Sequence, residues 1–197
     1  MQSIVVPVHY DFASTICYVA HRVMERVALA EIGVELVWEP LDLGLMMGWK
    51  PGSPVEGPGR DNALRVAREL DVPVHMPGSW LDSKPALAVA LSLRGTPQEV
   101  SWRERVWTAA YEEARDTGDP DEIERLCRDL GVDASAARDE AILGRLAART
   151  RAAADDAVTG LPSFMLAGLP IGGIQEPGTM QRMLGRYAER QREEPAG

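Results

Sequence analysis

The N-terminal part of the chain alternates between short apolar runs and one long amphipathic stretch. Residues 4–8 form a β-branched apolar run, which predicts a short buried strand. Over residues 16–32 apolar side chains recur at spacings of three and four, which is typical of a helix, and Gly33 ends the pattern. The sequence VELVWEPL then predicts a second strand that Pro40 ends. The helix is long enough to connect parallel strands, so the pattern predicts a β-α-β unit.

A long helical block follows this unit. Residues 42–59 are rich in glycine and proline and predict a loop or lid that leaves the sheet. Only helical patterns come after it, and capping sequences such as TGDPDE separate them. These patterns predict helices over residues 61–70, 84–93, 96–117, 121–130 and 134–158.

Strand patterns return only near the C-terminus. Residues 163–166 and 169–171 flank Ala167-Gly168, which predicts a hairpin, and a last helix is expected over residues 179–191 before a frayed tail. Two strands alone cannot bury a core, so elements from both chain ends should complete one sheet. We therefore expect an α/β fold with a discontinuous domain, residues 1–58 and 147–197, and an inserted helical domain, residues 59–146.

Composition and charge narrow the classes of partner. The chain has 197 residues and is 45% hydrophobic, which suits one sizeable domain or a domain with a large insertion. Its formal charge of -9 disfavours nucleic acid and anionic membranes as partners, although a small anion can still be held by arginines or a helix N-terminus. The sequence shows neither a signal peptide nor a membrane span, so a cytoplasmic location is expected.

The cysteines are few and far apart. Cys17 and Cys127 form no C-x-x-C motif, and no histidine cluster accompanies them. This spacing predicts neither a disulfide framework nor a metal site.

The stretch DFASTIC carries the first candidate chemistry. Ser14 stands where the predicted helix begins, so it is expected to be the N-cap. Cys17 lies one turn further on, either as a small buried side chain or, if exposed, as a thiol able to form mixed disulfides. His9, at the end of the first strand, is a candidate base or ligand-orienting group, or else a packing residue.

The order of the elements, DFASTIC at the first helix and GLPSF before the hairpin together resemble the DsbA-like superfamily of the thioredoxin fold. Within it the chain is similar to 2-hydroxychromene-2-carboxylate isomerases, kappa-class glutathione transferases and cytoplasmic DsbA-like oxidoreductases. The resemblance spans nearly the whole chain and implies a thioredoxin-like α/β fold with a helical insertion. It also implies a small-molecule substrate, and a homodimer, since relatives are often dimers.

The resemblance also implies roles for Ser14 and Cys17. The oxidoreductases carry C-P-x-C at this place, whereas here Ser14 and Cys17 occupy the two cysteine positions and cannot form that disulfide. The isomerases and kappa transferases carry a serine there, so Ser14 is expected to donate a hydrogen bond to the sulfur of bound glutathione or another low-molecular-weight thiol. A helix N-terminus favours a thiolate, and a serine O–H adds a donor.

The same resemblance assigns the rest of the cosubstrate site. Leu161-Pro162 matches the cis-proline of the family, so the main chain of Leu161 is expected to pair with the peptide-like part of the thiol. Gln175 and Glu176 precede the last helix, where kappa transferases hold the γ-glutamyl end. Thr15 departs from the family by replacing the proline after the first cysteine position.

A second group of candidates surrounds the start of the helical block, where the family has its second-substrate pocket. Aromatic residues with a few polar neighbours often line small-molecule sites, but the tryptophans could equally pack the insertion onto the sheet. Trp102 and Trp107 fall within a predicted helix and are expected in the core. The candidate substrate-binding residues are Trp49, His75, Trp80, Ser83 and Lys84.

Two kinds of function follow. The first is an isomerase or transferase that uses a thiol cosubstrate and acts on a hydrophobic, aromatic or polyketide-like small molecule. The alternative is a DsbA-like redox protein that has lost its dithiol and works through Cys17, or a small-molecule binding protein without chemistry.

Overall fold

The computed structural model describes residues 3–193. Of the tail that was expected to fray, residues 194–197 lie outside this range. None of the described helices combines the length and the hydropathy that a bilayer-spanning segment requires.

Four strands from both ends of the chain form one mixed sheet. They are β1 (Ile4–Tyr10), β2 (Val34–Pro40), β3 (Ser163–Leu166) and β4 (Leu169–Gly172), in the order β2-β1-β3-β4. β1 and β2 are parallel, and β3 is antiparallel to both β1 and β4. The predicted β-α-β unit, the hairpin and their union in a single sheet are therefore confirmed.

The helix predicted over residues 16–32 is two helices. α1 (Thr15–Met24) ends where main-chain hydrogen bonds tighten to the i−3 spacing, from Arg26 to Val23 and from Val27 to Met24. The chain then turns into the short α2 (Leu29–Ile32), which Gly33 ends with a φ of +62°. The break lets α2 pack against the C-terminal helix instead of continuing past the sheet.

Seven further helices follow among the described residues. The segment expected to be a loop contains α3 (Leu43–Met47), which the Asp42 carboxylate caps by accepting the Leu45 N–H. The remaining helices are α4 (Pro58–Glu69), α5 (Lys84–Ser92), α6 (Gln98–Tyr111), α7 (Pro120–Leu130), α8 (Glu140–Asp155) and α9 (Pro177–Glu193).

Most helix boundaries shift by one to three residues from the sequence-based prediction, and two differ by more. α6 stops at Tyr111, not at residue 117, and Ala114 beyond it has a positive φ that a helix cannot contain. The helix expected from residue 134 is divided by Asp139, whose carboxylate caps α8 by accepting the N–H groups of Ala141 and Ile142. A 3-10 helix (Ala134–Arg138) precedes that cap.

One hydrophobic core joins the sheet to the helical block. Three aromatic rings surround Trp107 of α6, with ring centroids 5.2 to 5.6 Å from its own. Phe12, which follows β1, and Trp38 of β2 pack edge-on against it, whereas Tyr10 of β1 is tilted. Trp102 and Trp107 are completely buried, which confirms their expected place in the core. The division into two domains stays a prediction, and its boundary at residues 146 and 147 falls inside α8.

Candidate functional site

Ser14 caps the N-terminus of α1. Its backbone is extended, with φ −89° and ψ 109°, and its Oγ accepts the main-chain N–H of Cys17 at 3.3 Å. The cap uses the hydroxyl as an acceptor, so its proton is still available for donation. The predicted N-cap is confirmed, and the hydroxyl lies where the helix dipole is positive.

Cys17 points into the core below this cap. The side chain has no exposed surface, and burial raises the pKa of its thiol to about 12, outweighing the nearby Ser14 side chain, which acts to lower it. At neutral pH such a thiol stays protonated, whereas the thiolate is the reactive form. These observations match the interpretation of Cys17 as a small buried side chain. Cys127 is also buried, and burial raises its pKa to about 11.

A cavity of about 680 Å³ opens beside Ser14. α1 contributes Ser14 and Ile16 to its wall, and Leu161 lines it from the segment before β3. The other walls come from residues 43–63 and 76–81 and are mainly apolar, with Leu43, Met47, Val55, Ala63, Met76, Pro77 and Leu81 among the lining residues. Its polar lining residues beyond α1 are Lys50, Ser53, Glu56, Arg60, Ser79 and Thr159.

A strap, residues 49–57, forms one side of the cavity. Trp49 stacks on Trp80 with ring centroids 4.0 Å apart and planes 27° from parallel. The main chain adds bonds from the Gly52 N–H to the Trp80 carbonyl and from the Trp80 N–H to the Ser53 carbonyl, both at 2.8 Å. The glycine- and proline-rich segment expected to be a loop or lid is therefore held in place as a cavity wall.

The Leu161-Pro162 peptide bond is cis, as the family resemblance implies. Leu161 lines the Ser14 cavity. It also lines a smaller cavity of about 190 Å³, together with Pro162 and Gly173. Gln175 and Glu176 are exposed and line neither cavity. Glu176 instead accepts the Thr179 hydroxyl at 2.7 Å at the start of α9.

The two histidine candidates lie away from the cavity. His9 is 3.7 Å from the Glu39 carboxylate, to which Arg94 and Arg149 also bind. These cationic and hydrogen-bonding neighbours lower the pKa of Glu39 to about 2, with the His9 hydrogen bond the largest cause. His75 is exposed and lines a separate groove beside α1.

Ser83 and Lys84 lie next to the cavity but not in it. They line a small pocket that shares Trp49, Lys50 and Trp80 with the cavity wall. Of the predicted site residues, the structure thus brings Ser14, Leu161, Trp49 and Trp80 into one cavity, with Thr15 beside them. The functional roles assigned to all of these residues stay predictions.

Asp11 is a buried residue beside the cavity wall that the sequence-based interpretation did not single out. It is completely buried one turn before Ser14, and its carboxylate accepts the N–H groups of Ala13 and Leu43. Burial raises its pKa to about 6. Its place in the DFASTIC stretch was the only available signal, because an aspartate between a strand and a helix ordinarily indicates an exposed turn.

An ion-pair cluster anchors the middle of α1. Among the described residues, His21, Glu25 and Glu104 bring atoms that could bind a metal within 4.8 Å of one another. Arg22 lies among them and donates to Glu104 at 2.7 Å and to Glu25 at 3.0 Å. The guanidinium therefore supplies the positive charge that these carboxylates require, and the cluster joins α1 to α6.

Comparisons with solved structures support the fold. A 2-hydroxychromene-2-carboxylate isomerase superposes with a TM-score of 0.76 at 19% identity, over 96% of this chain and 98% of that one. The cytosolic disulfide reductase DsbM from Pseudomonas aeruginosa, with GSH, gives 0.66 at 20% identity, over 97% and 100%. DsbA from the same organism gives 0.60 at 18% identity, over 97% and 85%.

The family comparison covers most of the chain. No curated protein sequence matches it. The model of the DSBA-like thioredoxin domain, however, matches residues 5–185, which include β1 from its second residue, the other three strands, the Ser14 cap and the Leu161-Pro162 peptide. The thioredoxin-like α/β fold implied by the sequence motifs is thus confirmed, and the chain belongs to the family of DSBA-like thioredoxin domains.

Proposed function

We propose that this protein is an isomerase or transferase that uses a low-molecular-weight thiol, such as glutathione, as cosubstrate. The thiol sulfur binds at Ser14, and a hydrophobic, aromatic or polyketide-like molecule occupies the adjoining cavity. The observation that carries this proposal is the position of the Ser14 hydroxyl, at the N-terminus of α1 and on the wall of the large apolar cavity.

The N-terminus of α1 suits a thiolate. The first N–H groups of a helix and its dipole stabilise negative charge, and the Ser14 O–H adds a charge-assisted donor. Because the cap bond from Cys17 uses only a lone pair of Oγ, capping and donation to a sulfur are compatible. Leu161, on the facing wall, offers main-chain groups to the peptide-like part of the cosubstrate.

The cavity suits a small apolar substrate. Its volume of about 680 Å³ falls in the range of roughly 300–1,000 Å³ that is usual for small-molecule sites. The stacked rings of Trp49 and Trp80 present flat apolar surface, which favours an aromatic partner. Lys50 and Arg60 add positive charge at the same wall.

The chemistry needs no net oxidation. The thiolate adds to an electrophilic carbon conjugated to a carbonyl, a C–S bond forms, and the π electrons move onto the carbonyl oxygen. The former double bond can then rotate, after which the electrons return, the C–S bond breaks and the thiolate leaves unchanged. In a transferase the adduct takes up a proton and is released instead.

The burial of Cys17 counts against the redox alternative. Thiol exchange through a single cysteine requires an accessible thiolate, whereas this thiol is enclosed and has a pKa of about 12. Of the structural neighbours, a 2-hydroxychromene-2-carboxylate isomerase supports the isomerase hypothesis, and the disulfide reductase DsbM, which was solved with GSH, supports only the choice of thiol. A cytoplasmic location fits the proposal, because low-molecular-weight thiols are kept reduced there.

Glutathione titration by calorimetry tests the proposal. We expect the parent protein to bind glutathione and Ser14→Gly to bind it about tenfold or more weakly, which corresponds to one lost charge-assisted hydrogen bond. Both Ser14→Gly and Ser14→Ala remove the hydroxyl, but glycine is a tolerable N-cap, so Ser14→Gly costs only a few tenths of a kcal/mol in stability and Ser14→Ala costs about 1 kcal/mol. Ser135→Gly, the same change at an exposed serine of the 3-10 helix, is the matched control.

The outcomes separate the alternatives. If the parent protein does not bind glutathione, this cosubstrate is excluded and the titration is repeated with other small thiols. If Ser14→Gly binds as tightly as the parent, Ser14 does not hold the sulfur. Binding without turnover of an aromatic enone, followed by its absorbance, would favour a binding protein.

A further inference from the structure

Asp11 is a buried carboxylate at a junction of three segments that form or flank the Ser14 cavity. Its Oδ1 accepts the N–H of Ala13 at 2.7 Å, and its Oδ2 accepts the N–H of Leu43 at 2.6 Å. The side chain of Ser83 lies near the carboxylate and acts to lower its pKa.

Each partner belongs to a different segment of the chain. Ala13 directly precedes the Ser14 cap and lines the cavity, and Leu43 begins α3 and lines it as well. Ser83 precedes α5 and lines the small pocket beside Trp80. A single carboxylate therefore connects the start of α1, the start of α3 and the segment that carries Trp80.

This carboxylate has no compensating cation. Within residues 3–193, no lysine, arginine or histidine forms an ion pair with Asp11. Four titratable groups interact electrostatically with Asp11. The charge of Asp42, before α3, raises the pKa of Asp11, and the charge of Asp11 raises the pKa values of Tyr10 in β1, Cys17 in α1 and Tyr111 in α6. Burial and the Asp42 charge raise the pKa of Asp11 to about 6.

An enclosed carboxylate without a cation reduces the stability of the folded state. Its native pKa lies above its ordinary value of 3.8, so the folded protein is most stable when Asp11 is protonated and loses this stability as the pH rises through 6. Uncompensated buried charges of this kind cluster at functional sites.

We propose that Asp11 is a positioning residue for Ser14, whose ionised carboxylate holds the start of α1 and the α3 wall in the arrangement that binds the thiol. This role rests on the proposed function of Ser14. Asp11 itself contacts the main chain and Ser83, not the ligand.

Protonation changes the hydrogen bonds of the carboxylate. The N–H groups of Ala13 and Leu43 can only donate, so neither can accept the new carboxyl proton. The two charge-assisted main-chain bonds therefore weaken to neutral ones. Ala13 and Leu43, and with them Ser14, are released from their fixed positions.

Amide NMR of the full chain tests the proposal without a ligand. We expect the amide protons of Ala13 and Leu43 to titrate together between pH 4.5 and 8, with one midpoint near 6, and to lose this step in Asp11→Asn. Asp42→Asn keeps a good cap on α3 but removes the neighbouring charge, so its midpoint should move to lower pH. If Asp11→Asn is insoluble, the parent and Asp42→Asn titrations still show whether the Ala13 and Leu43 amides follow the ionisation of Asp11.

Glutathione binding at pH 5 and pH 7.5 gives the second readout. The affinity of the parent protein should fall about tenfold at the lower pH, as expected for the loss of one charge-assisted contact, while Asp11→Asn shows no step near pH 6. If glutathione does not bind, glutathione is excluded as the cosubstrate, and the amide titration still decides the behaviour of Asp11. Amides that do not titrate, or an affinity step that persists in Asp11→Asn, would overturn the positioning role.

Discussion

The hydroxyl of Ser14 accepts the main-chain N–H of Cys17 at 3.3 Å, so the two positions that hold a dithiol in the oxidoreductases are here joined by a helix cap. The hydroxyl lies on the cavity wall, and the thiol lies in the core. The protein thus has the helix N-terminus of the oxidoreductases without their pair of cysteines. Under the proposed function, the Ser14 hydroxyl binds the sulfur of another molecule there.

Restoring the first cysteine should restore redox chemistry. Ser14→Cys completes a C-x-x-C motif with Cys17, and the helix N-terminus should lower the pKa of the new thiol below the ordinary value of about 8.5. We expect the variant to reduce insulin disulfides with dithiothreitol as electron donor, while the parent does not. The pH dependence of alkylation gives the thiol pKa.

A double variant controls for the role of Cys17 in that experiment. Ser14→Cys combined with Cys17→Ala should still form a mixed disulfide with glutathione but should not turn over. Equal turnover by the single and double variants would mean that Cys17 remains too deeply buried to resolve the mixed disulfide.

The two native cysteines should be unreactive in the folded protein. Both are buried, and burial raises the pKa of Cys17 to about 12 and that of Cys127 to about 11. An aromatic disulfide reagent at pH 7.5 should therefore report no fast thiol in the native state and two in urea. One fast native thiol, mapped to Cys17 by mass spectrometry, would revive the single-cysteine redox alternative.

The stacked pair in the cavity wall should contribute to binding of aromatic ligands. Trp49→Ala and Trp80→Ala should each weaken binding of an apolar aromatic probe by up to about tenfold, since an aromatic pair contributes roughly 0.5–1.5 kcal/mol beyond its buried area. Fluorescence titration measures the affinities. Trp49→Phe retains a ring that can stack, so it should lose less than Trp49→Ala, and equal losses would argue against stacking.

Glu39 should make the protein sensitive to acid. Its pKa is lowered to about 2 by His9, Arg94 and Arg149, so its contribution is complete above pH 4.5 and is lost as the pH falls toward 2. Glu39→Gln should lower the free energy of unfolding at pH 7 by about 2–3 kcal/mol and flatten its pH dependence below 4.5. Urea unfolding at several pH values measures this.

A second glutamate on the same strand provides the control for Glu39. Glu35 is exposed on β2, so Glu35→Gln should change the unfolding free energy by no more than a few tenths of a kcal/mol. An equal effect of the two substitutions would show that the ion pairs of Glu39 contribute little.

Local patterns accounted for the elements with strong periodicity or clear turn chemistry. The alternation in VELVWEPL, the turn at Ala167-Gly168 and the proline-led start of α7 all lie where the sequence indicates. The predictions failed at boundaries, as in the break after Met24 and the early end of α6, because these depend on packing against distant elements.

The sequence by itself determined the β-α-β start, the C-terminal hairpin, the Ser14 cap and, through its motifs, the family. These depend on neighbouring residues or on short ordered signatures. Only the tertiary structure decided that Cys17 is enclosed, that Trp49 stacks on Trp80, and that His9 and His75 lie outside the cavity. It alone revealed Asp11, because burial and the contact with Leu43, 32 positions away, arise only when separate segments pack together.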